Sequence, residues 1–474
     1  MYNQNRLHPA VILLNIGKYV RNLFPLYMII LFNSYAILPF NRIINTSLLM
    51  LTFLGCISIG SIISWKRFLY EIQTDQLSVE YGLFMRKRRF IPKERIQSIQ
   101  EAEDIIHRIF GLVKLQIETA GGSGEPEVVL GAVTREQAEK IRKELSHHFL
   151  YKDTEEEVQA SPFSFRLSPK ELLFFSATSG GVGIALSAVV GLYLQIDDYV
   201  HISLNVASFV AQTTSFYIMA ICLLAVSVWI IGILILYQKY YDFQVIRKDA
   251  DLIITRGLIE KRKLIIPLQR IQAVKVEENI VRQWFGFVTI RLLSASGGAE
   301  ANEELSFICF PIVKKKALPI IFKHYLPDYT FCSSVQSLPK RSLLRYLIRA
   351  MVPVLFLSLI CFYFVPMTKY IVPFLLAASI AVGYRQFKDT GWMLFNQQLF
   401  IVTRRFIRTT ILVKRSRIQS LQTYKSMFQD NPMLCTIKVY TKSGLGSSTF
   451  NLKDVDDSVG KAIREWYSYE KQRN

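Results

Sequence analysis

The stretch Ile91-Pro92-Lys93-Glu94-Arg95-Ile96-Gln97 decides the fold of this chain, because its last three residues return twice further along. The Arg-Ile-Gln triplet begins again at Arg270 and at Arg417, and a second matching segment stands fourteen residues after each Ile. That segment reads Phe-Gly-Leu-Val at residues 110–113 and Phe-Gly-Phe-Val at residues 285–288, with a looser copy at 432–435. Equal spacing without gaps, three times over, indicates that one supersecondary unit is used three times.

Length and composition point to a membrane protein. The chain has 474 residues, enough for three or four units, and combines 51% hydrophobic with 20% charged residues. That combination is typical of apolar blocks that alternate with charged ones. The net charge of +20 fits either a nucleic-acid-binding protein or a membrane protein with basic loops. The long apolar runs favour the second class, so no nucleic-acid partner is expected.

No catalytic, cofactor or metal site is predicted. The six Cys are scattered without a CxxC pair, which indicates reduced packing residues and neither a zinc site nor a disulfide framework. The six His have no acidic or Cys partner at ligand spacing, and the chain contains neither HExxH nor GxSxG. A non-enzymatic protein is therefore expected.

Six apolar runs are predicted to span the membrane as three helical hairpins, since a spanning helix needs about 20 residues. The first and third hairpins are shorter and contain several Pro, which predicts kinked or tilted helices. The loop of the second hairpin holds Asp197 and Asp198 but no Lys or Arg, whereas basic segments follow every hairpin. The positive-inside rule then places the N-terminus and the repeated units in the cytoplasm, in a multi-pass cell-membrane protein. The runs are residues 23–38 with 47–64, 172–194 with 216–237, and 347–365 with 370–384.

Each hairpin is followed by strands and then by one helix. Apolar and polar residues alternate from Leu77 to Tyr81, and Gly82 and Gly257 stand at matching positions where a hairpin turn is expected. Closing helices are predicted at residues 135–149, 314–325 and 455–469. The predicted fold class is an integral membrane α-helical protein that also carries three α+β units, each a curved antiparallel sheet with a C-terminal helix.

The repeat also sets the domain boundaries. The predicted order is an N-terminal segment with hairpin 1 (1–65), unit 1 (66–152), a linker (153–171), hairpin 2 (172–238), unit 2 (239–328), a linker (329–346), hairpin 3 (347–384) and unit 3 (385–474).

The order of membrane hairpin, strands, Arg-Ile-Gln, Phe-Gly-x-Val, Gly turn and closing helix resembles the bacterial pleckstrin-homology-like (PH-like) domain family of membrane-flanked proteins. Residues 91–119 and 266–294 carry the resemblance strongly, and three flanked copies resemble the three-copy branch of that family. The third unit departs, with Arg404 in place of the turn Gly and Lys414 in place of the Pro. The resemblance implies a complex with a smaller membrane protein carrying one domain of the same family, and protection against membrane-directed antimicrobial peptides.

The Arg and Gln of the repeated triplet are interpreted as structural, and the Ile is assigned to the core. Arg pairs well with phosphate or carboxylate, which leaves a binding role open. A residue repeated inside a repeated fold is nevertheless what a folding constraint predicts. The residues concerned are Arg95, Gln97, Arg270, Gln272, Arg417 and Gln419.

Basic clusters lie close in sequence to the inner membrane face, where an anionic leaflet attracts each charge by about 1 kcal/mol. Positive-inside topology alone produces much the same pattern, and the two explanations are compatible. The candidate contacts with an anionic leaflet are Arg86, Lys87, Arg88, Arg89, Lys261, Arg262, Lys263, Arg404 and Arg405. A stripe of small residues at four-residue spacing, Gly183, Ser187 and Gly191, is interpreted as a helix-packing surface.

Two functions from different classes stay open. The first is a non-catalytic bacterial inner-membrane scaffold, whose three cytoplasmic PH-like units lie against the anionic inner leaflet. The second is lipid or peptide handling or export through the helix bundle, a hypothesis motivated by the short, Pro-broken spans. An enzyme acting on lipid headgroups is disfavoured, because the sequence offers few Asp, Glu or His near the inner membrane face.

Overall fold

The computed structural model describes residues 5–32, 42–83, 85–119, 126–145, 164–179, 214–294, 306–332, 334–364, 370–443 and 446–468. In these residues the three repeats form three units of one architecture, each with seven strands. The first contains β1 (Asn5–Arg6), α1 (Val11–Phe32), α2 (Arg42–Arg67), β2 (Leu69–Ile72), β3 (Gln76–Tyr81), β4 (Lys87–Pro92), β5 (Ile96–Glu103), α3 (Ile105–Ile109), β6 (Leu112–Thr119), β7 (Val128–Thr134) and α4 (Arg135–Leu145). The second contains β8 (Ser164–Arg166), α5 (Pro169–Thr178), α6 (Thr214–Lys239), β9 (Gln244–Lys248), β10 (Asp251–Arg256), β11 (Lys261–Pro267), β12 (Ile271–Glu278), α7 (Ile280–Trp284), β13 (Phe287–Ser294), β14 (Ser306–Lys314) and α8 (Leu318–Tyr325). The third contains β15 (Gln336–Ser337), α9 (Leu343–Phe364), α10 (Val372–Asp389), β16 (Gly391–Phe395), β17 (Gln398–Arg404), β18 (Arg408–Lys414), β19 (Ile418–Tyr424), α11 (Met427–Asp430), β20 (Leu434–Ser443), β21 (Gly446–Asp456) and α12 (Asp457–Tyr467).

Each unit divides its seven strands between two antiparallel sheets, four strands in one and three in the other. The three-stranded half of one unit is hydrogen-bonded to the four-stranded half of the next, so neighbouring units share a seven-stranded sheet. The shared sheets are joined by β5 with β11, where Glu103 stands opposite Lys261, and by β12 with β18, where Glu278 stands opposite Arg408. The sequence predicts one curved sheet per unit. The structure differs because alternation identifies a strand but not its neighbours.

The repeated Arg-Ile-Gln triplet lies where each unit passes from its first sheet to its second. A 3-10 turn ends at the Arg in every copy, over Lys93–Arg95, Leu268–Arg270 and Arg415–Arg417. The Ile that follows begins the next strand and is buried in all three units. The triplet therefore marks the corner of the fold.

Each unit has an apolar core, in which side chains from its strands and its closing helix pack together. The cores of the second and third units also include side chains of the neighbouring unit, Phe400 and Leu412 in one and Ala273 and Leu293 in the other. Full burial of one such side chain stabilises the fold by about 1.5–3 kcal/mol. Among the buried residues are Leu77 and Leu115 in the first unit, Phe310 and Phe322 in the second, and Ile437 and Ile463 in the third.

Apolar helices pack in pairs beside the units, α1 with α2, α5 with α6, and α9 with α10. Gly383 of α10 lies against α9, where a Cβ would come within 3.0 Å of the Tyr346 carbonyl oxygen and 3.1 Å of the Ala350 Cβ. Among the described residues, two helices are long and apolar enough to cross a membrane, Ser47–Arg67 and Lys340–Ile360, and Val226–Lys239 is a shorter apolar helix. The six-span arrangement stays a prediction.

The short strands β1, β8 and β15 lie in the segments 1–65, 153–171 and 329–346, which the sequence assigns to an N-terminal segment and two linkers. Each has only two or three residues, too few for alternation to reveal. Each nevertheless forms the first strand of its unit's four-stranded half. The predicted stripe of Gly183, Ser187 and Gly191 lies outside the described residues. The acidic loop at 195–214 also lies outside them, except for its last residue, Thr214.

Candidate membrane-contact surface

The turn between the third and fourth strands of each unit is held at the end of that unit's second apolar helix. Arg67 of α2 donates a hydrogen bond to the Leu83 carbonyl oxygen. In the second unit, the Leu258 amide donates to a carbonyl oxygen of α6 at 3.1 Å. In the third, Gln386 of α10 donates to the Arg405 carbonyl oxygen at 2.9 Å. All three turns therefore lie at the level where an apolar helix ends.

These turns expose large apolar side chains beside the helix ends. Met85 is 75% exposed and Phe406 is 67% exposed. Clustered apolar exposure marks a contact surface, and its place at the end of apolar helices favours the membrane interface. The exposed apolar turn residues are Met85, Leu258, Ile259, Phe406 and Ile407.

Glycine makes the first two turns possible. Gly82 and Gly257 have φ angles of +131° and +112°, and a Cβ at either would lie 1.9 Å from a carbonyl oxygen. Only Gly adopts this conformation without strain. The third unit has Arg404 at this place, where the turn takes a different backbone path without a positive φ.

The short helix after the fifth strand supplies a second exposed apolar set. Its members are Ile109 and Phe110 at the end of α3, Trp284 and Phe285 at the end of α7, and Met427 and Phe428 on α11. Trp284 is 81% exposed and Met427 is 94% exposed. Together with the turn residues they form the apolar rim of the protein.

The two sets of the apolar rim meet at the joints between units. Arg108 of α3 donates to the Leu258 carbonyl oxygen of the second unit at 3.2 Å. Arg404 of the third unit donates to the Gln283 side-chain oxygen on α7. The rim therefore runs across unit boundaries as one surface.

The predicted basic contacts fall into two groups. Arg86, Lys87, Lys261 and Arg405 are exposed next to the rim turns, and Lys263 is half-buried. Arg88 pairs with Glu80, Arg89 with Glu127 and Arg262 with Glu260. These three remain partly exposed, and pairs of this kind contribute little stability.

Arg404 has a different role from its neighbours. Its side chain is only 8% exposed, and its Nε lies 2.6 Å from Asp389 Oδ2 at the end of α10. With its bond to Gln283 it links α10 to the preceding unit. The sequence predicts a leaflet contact here, whereas the structure places the guanidinium inside a joint.

The repeated triplet makes contacts at the corner of the fold. Gln272 donates to the Arg270 carbonyl oxygen at 3.0 Å. Arg417 donates to the Gln269 carbonyl oxygen of the second unit. Arg95 and Gln419 are exposed, and the Gln97 side chain lies outside the described residues. These contacts support the structural interpretation for Gln272 and Arg417.

A buried polar side chain stands twelve positions after each repeated Arg. The position holds His107, Arg282 and Gln429. His107 Nε2 lies 2.7 Å from the Gly131 carbonyl oxygen, and Gly131 lies beneath Val11 of α1. Sequence comparison of the repeats misses this position because the three residue types differ. The sequence signal that could have identified this position is its equal spacing from the repeated triplet.

In the second unit the residue at this position, Arg282, connects the α+β fold to an apolar helix. The Arg282 guanidinium donates to the Phe175 carbonyl oxygen at 3.0 Å, to Thr178 Oγ1 at 2.8 Å and to Ser179 Oγ at 2.8 Å. Burial lowers the pKa of Arg282 to about 10, so the group remains charged at neutral pH. The guanidinium thus anchors α7 to the end of α5.

In the third unit the same position joins a buried ion cluster, the Asp454 cluster. Gln429 donates to Asp454 Oδ1 at 2.8 Å, and the Asp454 carboxylate pairs with Arg345 at 2.6 Å and Arg349 at 2.7 Å on α9. Burial acts to raise the pKa of Asp454, but hydrogen bonds from Arg349, Gln429 and Arg345 outweigh it and hold the pKa below its ordinary value. The cluster fastens α9 to the third unit.

A cavity of about 1340 Å³ opens between α9, α10, the strands of the third unit and the neighbouring strands β12 and β13 of the second. One wall is apolar, with Pro353, Val354 and Ala378. The lining also includes the charged residues Arg349, Lys453 and Glu277. Burial, with a contribution from Arg349, lowers the pKa of Lys453. A lining that combines apolar side chains with Arg349 and Lys453 matches an anionic amphiphile in its chemistry.

No group of three or more metal-ligating side chains occurs in the part of the chain that the structure describes.

Three α+β units that share sheets, border apolar helices and expose an apolar rim define a membrane-flanked protein of the pleckstrin-homology-like class.

Comparison with known proteins confirms the family. The bacterial PH domain model matches residues 13–149, 192–321 and 347–471, and the chain belongs to that family. The chain is 36% identical over 496 aligned residues to the UPF0699 transmembrane protein YdbT of Bacillus subtilis (strain 168), and 99% of both chains is covered. The protein is therefore a membrane protein with three bacterial PH domains.

Proposed function

We propose that the protein is a non-catalytic scaffold of the bacterial cell membrane, in which three cytoplasmic PH-like units act as one rigid platform. The observation that carries this proposal is the pair of shared sheets, because β5–β11 and β12–β18 pairing fixes each unit against the next. Freely moving binding modules would need no such joints. The apolar rim and the exposed basic residues beside it would hold the platform against an anionic inner leaflet.

The proposal includes a six-span topology with the N-terminus and all three units in the cytoplasm. The packed pairs α1–α2 and α9–α10 support hairpins that return the chain to one side. Single-Cys variants at exposed unit positions and in the loop 195–214 test this with a membrane-impermeant maleimide on intact cells. Labelling of the loop and protection of the units is the expected result. Labelling of the units from outside would overturn the topology.

The scaffold is proposed to bind a smaller membrane protein of the same family and to protect the cell against membrane-directed antimicrobial peptides. Native mass spectrometry of the protein, extracted gently from its own membranes, is expected to show a small membrane protein at fixed stoichiometry. A deletion strain is expected to be more sensitive to a bacteriocin panel than its parent. Equal sensitivity to every member of the panel would remove the protective role and leave the scaffold role standing.

A second candidate function is lipid or peptide handling, favoured by the cavity beside α9 and α10. Val354→Trp fills the apolar wall, whereas Val226→Trp on the exposed face of α6 is a matched control. Lipids that co-purify with the full chain are compared by mass spectrometry. Loss of one bound lipid class only from Val354→Trp would support handling, and identical lipid content in all three proteins would refute it.

A further inference from the structure

The array of units ends in two strand edges without a partner in the described residues. One is the outer edge of β4, the last strand in the order β1-β2-β3-β4. The other is the outer edge of β19 in the order β19-β20-β21. At both internal joints the corresponding edges are paired, as β11 is with β5 and β18 is with β12. An open edge offers a row of backbone donors and acceptors to another strand.

One apolar position shows what a neighbouring strand covers at the internal joints. The position five residues before the repeated Arg holds Phe90 in β4, Ile265 in β11 and Leu412 in β18. Ile265 is 7% exposed and Leu412 is fully buried, but Phe90 is 52% exposed. An apolar residue that is covered in both joints is therefore uncovered at the N-terminal end of the array.

One pair of cross-strand positions carries opposite charges at both joints. A second pair does so only at the β5–β11 joint, because Thr410 stands opposite Val276 at the β12–β18 joint. Lys261 and Lys263 of β11 stand opposite Glu103 and Glu101 of β5. At the second joint Arg408 stands opposite Glu278, with Arg408 Nη1 3.3 Å from Glu278 Oε1. Opposite charges in cross-strand positions stabilise a pair of strands. A basic strand start therefore meets an acidic strand end at each joint.

The open β4 edge keeps the basic half of this pattern. Arg86 and Arg88 occupy the places of Lys261 and Lys263. Both are exposed, and within the described part of the chain Arg88 pairs with the neighbouring Glu80 of β3. In the register of the β5–β11 joint, they would face the two acidic positions of an incoming strand.

A second copy of this chain does not supply that strand. In its own open edge, β19, Thr423 stands at the position of Glu101, and Lys425, which directly follows the strand, stands at the position of Glu103. Pairing of β19 with β4 would place Lys425 opposite Arg86, and like charges directly opposite are destabilising. The charge pattern therefore disfavours head-to-tail assembly of identical chains.

We infer that the β4 edge docks a second protein that contains a PH-like unit, through a strand whose end carries acidic residues at the positions equivalent to Glu101 and Glu103. The strand would extend the sheet β1-β2-β3-β4 in the register of the internal joints and cover Phe90. This inference rests on the proposed scaffold and specifies where its smaller partner binds.

The test uses the full chain in its own membranes, with the photo-crosslinking residue p-benzoylphenylalanine in place of Lys87. The same residue in place of Lys140, exposed on α4 of the same unit, is the control. The expected product from position 87 is a cross-link to a PH-like strand of another protein, with none from position 140. A cross-link to β19 of a second copy, or to the acidic segment 153–157 of the same chain, would overturn the inference.

Charge reversal provides the second arm. Arg86→Glu with Arg88→Glu is expected to reduce the co-purified partner at least about tenfold, whereas Lys140→Glu with Lys143→Glu leaves it unchanged. Replacing the partner's two acidic residues by Lys should restore capture by the reversed variant. Undiminished capture by the reversed variant would refute the docking edge while the scaffold stands. Absence of any partner from the wild-type protein would refute the proposed complex itself.

Discussion

The Asp454 cluster allows a sharp prediction about how an apolar helix is fastened to its unit. Asp454 is fully buried and has a φ angle of +57°, a left-handed conformation that Asn also tolerates. Asp454→Asn therefore removes the charge and leaves the backbone undisturbed. It also leaves Arg345 and Arg349 of α9 without their counter-ion.

The magnitude follows from burial. Breaking a fully buried ion pair costs about 3–5 kcal/mol. The side chains of Arg345 and Arg349 are 21% and 40% exposed, so water replaces part of the lost interaction. We expect a loss of about 2–4 kcal/mol, equivalent to a fall of about 8–16 °C in the apparent Tm of the third unit.

The assay is thermal unfolding of the full chain in detergent, with limited proteolysis to locate the melted region. Asp457→Asn is the control, because that carboxylate pairs with Lys425 and Lys461 on the surface. Its Tm is expected to stay near the wild-type value. Equal Tm values for Asp454→Asn and Asp457→Asn would show that the cluster does not fasten α9, and the reasoning would fail.

The Asp454 cluster also makes the stability of the third unit depend on pH. The pKa of Asp454 is lowered in the folded protein, so its stabilisation is present above the ordinary carboxyl pKa of about 4. The stabilisation is lost as the pH falls through the folded value. Tm measured between pH 7 and pH 3 should therefore fall less steeply for Asp454→Asn than for the wild-type protein. Parallel curves would contradict the assignment.

Three further predictions concern the turns, the rim and the core. Gly257→Ala is expected to destabilise the protein by about 2 kcal/mol or more, because its Cβ would lie 1.9 Å from the Glu260 carbonyl oxygen. Gly17→Ala is the control and should be tolerated in the same thermal assay, because the space around Gly17 is open. Trp284→Phe should remove the part of the Trp fluorescence that brominated lipids quench, whereas Trp466→Phe should remove fluorescence that these lipids do not quench. Equal quenching in both variants would place Trp284 away from the membrane. Burial raises the pKa of Cys309 far above its ordinary value, so N-ethylmaleimide should modify the half-buried Cys332 before Cys309, and raising the pH to 9 should not accelerate reaction at Cys309.

Local signals in the sequence determined the individual elements. Alternation predicts β3, and the structure places that strand at Gln76–Tyr81, directly before the positive φ of Gly82. The buried Ile of each triplet and the closing helices follow from the same short-range patterns. These features are predictable because steric preference and the period of side-chain burial act over a few residues.

The candidate surface was only partly predictable. Basic clusters are visible in the sequence, but the exposed apolar residues of the rim are not, because Trp284 and Phe285 read like core residues until their burial is known. The repeat position that holds His107, Arg282 and Gln429 was not predictable from the sequence, because each unit has a different side chain there. A repeat comparison detects identity, whereas the structure detects equivalent contacts.

The sequence by itself determined that one α+β unit occurs three times between apolar helices. Only the tertiary structure decided that neighbouring units share sheets, that Glu103 meets Lys261 and Glu278 meets Arg408, and that one basic edge stays open. The physical reason is the range of the interaction. Strand formation depends on local periodicity, but strand pairing between units joins backbone groups that are more than a hundred residues apart, and no pattern within one segment specifies its partner.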